Sequence, residues 1–150
     1  MTLLTPVSPG EVIDKITILQ IKYEKINNKN KLKNIKNELN LLLPLINKKK
    51  YETLEIQNLM KNLKKVNHSL WNIEDNIREK EKFKEFDDEF IELARSVYKE
   101  NDKRAAVKKE INYKYRSIFV EEKNCSKINV WGHRPYIKNI EDFLSYNNFQ

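Results

Sequence analysis

Ile56, Leu59, Leu63, Val66, Leu70, Ile73 and Ile77 recur at alternating intervals of three and four, in a stretch that holds neither glycine nor proline. That spacing puts an apolar stripe on one side of a helix, and only another helical or apolar surface can cover a stripe of that length. The whole chain of 150 residues has two glycines and four prolines, too few for the tight turns of a strand-rich fold. The expectation is therefore an all-α protein, an antiparallel bundle of about four long helices.

The other helices follow from the same periodicity. Ser8-Pro9-Gly10-Glu11 combines a capping serine, a proline suited to the first helical position and a glutamate three residues after the cap. Val12, Ile16, Leu19, Tyr23 and Ile26 then form one stripe, while Ile18 and Ile21 project elsewhere, so the first helix should be central or at an interface. A polar linker, 27–30, leads to a second helix with Leu32, Ile35, Leu39 and Leu42 in phase, stopped or kinked at Pro44, and 47–50 is the next loop. The charged stretch 80–85 separates the third helix from a fourth, opened by Asp87 or Asp88 and by Phe86, Phe90, Leu93 and Val97. Residues 1–124 read as the bundle domain. Residues 125–150 read as a short irregular tail with a loop at 131–135 and a short helix at 140–146.

The fourth helix breaks its own pattern. Extending its stripe gives Asn101, Arg104 and Lys108 before apolar residues resume at Ile111 and Tyr115. Polar residues at core-phase positions must be hydrogen-bonded, paired or set around a cavity, or the helix must break and restart at Asn101 or Asp102. Two further polar clusters stand out: Glu11, Asp14 and Lys15 at a helix start, a place suited to anions, and Trp71, Glu74, Asp75 and Arg78 on one helix face. Glu11–Lys15 and Glu74–Arg78 are ready i,i+4 pairs. Folding the third and fourth helices into a hairpin about Lys84 would bring His68 and Trp71 near Asn101, so that the clusters around Trp71 and Asn101 could share a pocket. With only five arginines against 24 lysines, Arg78 and Arg104 are marked as places where a planar guanidinium matters.

Other chemistries find little footing. The single cysteine, Cys125, permits no intrachain disulfide and has no neighbouring ligands for zinc, and no cofactor is implied. No apolar run is long enough for a membrane span and no basic, apolar leader opens the chain, which suggests a cytoplasmic protein. The net charge of +7 raises nucleic-acid binding, but the Lys-, Asn- and Ile-rich composition accounts for it without a recognition motif. Phosphate loops, serine elbows and paired metal-binding histidines are absent, and only Glu11-x-x-Asp14 matches half of a nucleotide-pyrophosphohydrolase pattern.

The segments PGEVIDKITILQIKY (9–23), LWNIEDNIREKEK (70–82), FIELARSVYK (90–99), NDKRAAVKKEINY (101–113) and VEEKN (120–124) together resemble a family of small helical bacterial proteins of unassigned function. Members are sometimes encoded near, or fused to, glycosyltransferase-type genes for cell-surface polysaccharides. The resemblance implies a helical fold and recurrent polar positions at Glu11, Asp14, Lys15, Glu74, Asp75, Arg78, Asn101, Asp102, Arg104 and Lys108. It brings no catalytic role.

The leading expectation is an accessory or binding module that takes a partner protein or a small anionic ligand in a polar inter-helix pocket. Its candidate lining is Glu11, Asp14, Lys15, Trp71, Glu74, Asp75, Arg78, Asn101, Asp102, Arg104 and Lys108. The alternative is a metal-dependent enzyme acting on a nucleotide or nucleotide-sugar, with the acids holding the metal and Arg78 or Arg104 the phosphate. A basic nucleic-acid binder ranks third. The apolar seam of the third helix and the two-sided first helix would also suit a homodimer.

Overall fold

The computed structural model describes residues 4–46, 53–119 and 122. Within them the chain forms four α-helices and no strand: α1 (Pro9–Lys25), α2 (Lys29–Ile46), α3 (Leu54–Phe83) and α4 (Asp88–Lys114). None is long and apolar enough to cross a membrane. The expected loop at 47–50 and the tail from 125, with its short helix, lie outside the described residues.

The helix starts are written in the sequence as caps. Ser8 Oγ accepts from Glu11 N at 3.2 Å, Asn28 Oδ1 from Lys31 N at 3.1 Å, Thr53 Oγ1 from Ile56 N at 3.2 Å and Asp87 Oδ1 from Phe90 N at 2.9 Å. Each supplies an acceptor for a first-turn donor that the helix itself leaves unmet. Pro44 does not stop α2 but lies inside it, and the described residues of the helix run to Ile46. The third helix extends to Phe83, through most of the charged stretch expected to end it. Lys84, at φ 59°, then takes the left-handed conformation that turns the chain back.

The helices α3 and α4 form a long antiparallel hairpin, and α1 packs on α2, α3 and α4 at its open end. There the core gathers Ile13, Ile16, Ile46, Ile56, Leu59, Leu63 and Ile111. The central placement of α1 agrees with its two-sided sequence, but its phase differs from the simplest reading. Ile13 is fully buried whereas Tyr23 is exposed, because the stripe that meets three neighbours is broad and centred nearer Ile13 and Thr17.

At 30 residues, α3 is about 45 Å long against about 26 Å for the 17 residues of α1, so the hairpin outruns its cover. From Trp71 to Val107 no residue is buried. This stretch is a two-helix arm. At its tip Lys80 reaches Asp87 at 2.8 Å, Glu89 at 2.6 Å and Glu85 at 3.5 Å, which clasps the turn. The Lys80 ammonium beside Asp87, with the Phe90 amide, holds the Asp87 carboxyl below its ordinary range.

Candidate functional site

Gly10 sets the geometry in which α1 meets α4. A Cβ there would lie 2.8 Å from the Lys108 carbonyl and 2.8 Å from Asn112 Oδ1, so only glycine lets the two helices approach this closely. The Gly10 amide donates to Asn112 Oδ1 at 2.7 Å across that contact. Glu11, the next residue, and Asp14, one turn further along α1, face α4, and Asp14 and Thr17, two turns along, face α3.

Asp14 is the hub. Arg104 approaches its carboxylate with two nitrogens, Nε to Oδ1 at 2.9 Å and Nη2 to Oδ2, the planar fork that a lysine cannot supply. Asn67 Nδ2 donates to Asp14 Oδ1 at 2.8 Å and to Thr17 Oγ1 at 2.9 Å, and Thr17 in turn donates to the Asp14 carbonyl at 2.8 Å. With the Asp14 side chain 4% exposed and Arg104 29%, the pair is largely withdrawn from water. A second pair, Lys108 with Glu11, lies one turn along α4, its ammonium nearly covered and its carboxylate half-exposed.

These partners explain the irregularity in the fourth helix. No break occurs: α4 is continuous from Asp88 to Lys114, and neither Asn101 nor Asp102 begins a new helix. Arg104 and Lys108 occupy the apolar phase because α1 presents carboxylates to them, and Asn101 returns its amide to the Val97 carbonyl at 3.1 Å. Asp102 is exposed on the same helix.

The other expectations are redistributed. Lys15 bridges to Glu38 of α2 at 2.6 Å instead of pairing with Glu11. Arg78 contacts Glu74 at 2.9 Å and Asp75 at 3.1 Å within α3, all three exposed, while Trp71 is half-buried. The clusters around Glu11 and Arg104 therefore meet, and the Trp71–Arg78 cluster keeps to its own helix. His68 is engaged by Asn72 at 3.3 Å. The anion expectation at the start of α1 also loses its physical basis: Pro9 has no N–H, and the amides of Gly10, Glu11 and Val12 go to Asn112, to Ser8 Oγ and to the Ser8 carbonyl. Nor do the acids gather as a metal site would require. Among the described residues no three His, Cys, Asp or Glu come together in that way.

Above the Glu11–Lys108 pair a solvent-open groove of about 570 Å³ follows one side of α4, lined by Glu11, Val97, Tyr98, Asn101, Arg104, Ala105 and Lys108. Beyond it the same side continues up the arm. Ile91, Ala94, Tyr98, Asn101, Ala105 and Lys108 alternate at intervals of three and four, a second stripe roughly a quarter-turn from the seam that α4 shares with α3. Ile91 is 46% and Tyr98 40% exposed. The sequence holds this stripe in plain view, but Phe90, Leu93 and Val97 beside it carry a stronger apolar signal.

Asn67, Thr17, Gly10 and Asn112 escaped the sequence reading. Asn67 stands at a core spacing, four after Leu63 and three before Leu70, and that was its signal. Asn112 has none, since it is polar between apolar neighbours on a helix with polar residues all round.

Compared with known proteins, the chain matches no family, no curated protein and no solved structure.

Proposed function

We propose that this protein is a helical binding module whose working surface is the side of α4 running from Ile91 to Lys108, and that it docks one helix of a partner protein there. The observation that carries the reading is the second stripe on α4, whose Ile91, Ala94 and Tyr98 stay exposed and which runs through half-buried Asn101 and Ala105 into the groove beside Glu11. A helix needs one such stripe to be held in a hairpin. A second, with alanines at 94 and 105 that let another backbone approach, is what an incoming helix uses. The polar residues at its lower end are bound into pairs with α1, which favours a shape-selective helix over a small anion that would have to displace Glu11 or Asp14.

The setting is part of the same proposal. We take the module to be a cytoplasmic accessory to surface-polysaccharide synthesis, and the link to polysaccharides rests on the sequence resemblance alone. The test is site-specific photocrosslinking in cells from a benzoylphenylalanine at position 98, with the same group at exposed Asn62 on α3 as the control. Docking predicts that position 98 crosslinks to one helical segment and position 62 does not. Equal or absent crosslinking from the two positions would contradict it.

A further inference from the structure

Resting on that docking surface, we infer that its occupant is a second copy of this chain, with the two α4 helices antiparallel about a two-fold axis near Lys99 and Glu100. The stripe is self-complementary under that operation. Position 98 falls opposite 101, 94 opposite 105 and 91 opposite 108, so Tyr98 of each copy meets Asn101 of the other, and the two alanines face each other at the points of closest approach. Ile91 then lies at the mouth of the groove, beside the half-exposed Glu11 that covers Lys108.

Charge fixes the choice of partner and direction. In an antiparallel pair the residues that flank the stripe on its solvent side face their own kind across the interface. Here those residues are Asp88, Arg95, Asp102 and Lys109. The antiparallel register sets Arg95 against Asp102 and Asp88 against Lys109, and the two-fold repeats both, so four opposite-charge contacts form and no like-charge one. Arg95 lies exposed against Glu92 within its own helix at 2.7 Å, a contact easily exchanged for a new one. A parallel pairing would instead set these flanking residues against Phe90, Val97 and Arg104 on the other flank of the stripe, which puts Arg104 on Lys109 and leaves Arg95 without an acid. An interface of this kind is isologous, each copy offering the same surface.

The test is sedimentation velocity of the full-length protein over a concentration series, repeated for Arg95→Asp, for the double variant R95D/D102R and for Ala94→Glu. The inference predicts a concentration-dependent dimer, weakened roughly tenfold by R95D and restored by adding D102R, because the paired reversal rebuilds the same contacts with their signs exchanged. Ala94→Glu should abolish it while the circular dichroism of the helices stays unchanged. A monomer at every concentration up to about 1 mM would overturn the inference. So would a dimer indifferent to R95D and Ala94→Glu. Crosslinking from position 98 separates the two levels: a crosslink to a different polypeptide refutes the second copy and keeps the docking surface, whereas no crosslink refutes both.

Discussion

Arg104 of α4 grips Asp14 of α1 through two nitrogens, and that contact turns the most irregular position of the fourth helix into the point where three helices are held in register. Asn67 brings α3 to the same carboxylate, so one buried acid receives donors from both arms of the hairpin. Breaking the pair from either side should be costly, since the survivor is left withdrawn from water. Asp14→Ala and Arg104→Ala should each lower stability by about 3 kcal/mol, Arg104 at the lower end because it keeps some exposure. The double variant should lose much less than the sum of the two. Chemical denaturation of the four proteins measures this coupling, and additive losses would show that the contact has no special weight.

Gly10→Ala tests the close approach of α1 and α4. One of the clashing atoms is the Lys108 carbonyl, part of a helix backbone that cannot swing aside. The helix-propensity gain of alanine, under about 1 kcal/mol, should be outweighed, with a net loss of about 1–3 kcal/mol by thermal or chemical unfolding. A variant as stable as the parent would mean that the helices stand further apart.

The clasp at the tip of the arm should weaken in acid. Asp87 is held below its ordinary carboxyl range by Lys80 and by the amide it caps. A carboxyl depressed in the folded state stabilises at full strength above its unfolded value of about 3.9, and that stabilisation disappears as pH falls through the lower folded value. The turn should therefore stay closed at pH 5 and loosen only below about pH 4, followed by amide resonances near Phe90. Asp87→Asn, which keeps an acceptor for the cap but has no charge to lose, should remove most of this acid response.

Small anions should leave the protein unchanged. The cations nearest the groove are engaged with Glu11 and Asp14, and the first-turn amides of α1 have partners. Nucleotides and nucleotide-sugars, with and without magnesium, should produce no thermal shift. A ligand present at 100 times its Kd would contribute about 2.7 kcal/mol, a shift of several degrees that no scan would miss.

How much of this was legible in advance depends on what each residue signals about its surroundings. Helix number, the caps at Ser8 and Asp87 and the turn at Lys84 follow from local chemistry, and all appear in the fold. The polar interruption at Asn101, Arg104 and Lys108 was visible, but its cause was not, because a helix break and a partner carboxylate on another helix leave the same trace in one helix. Periodicity misplaced the phase of α1 by about a residue, favouring Tyr23 over Ile13, since a helix touched on three sides has no single stripe to find. The Trp71–Arg78 cluster resembled half of a site, yet its charges satisfy one another along their own helix.

The central claim is that the side of α4 away from its pairing with α3 is the surface this protein works through. Its most direct test is photocrosslinking from position 98 compared between the parent chain and Ala94→Glu. Ala94 is exposed, so the substitution should change stability by no more than about 0.5 kcal/mol while placing a charged side chain where a docked helix would have to pass. The account predicts an intact fold and a lost crosslink; a crosslink of undiminished yield in the variant would contradict it.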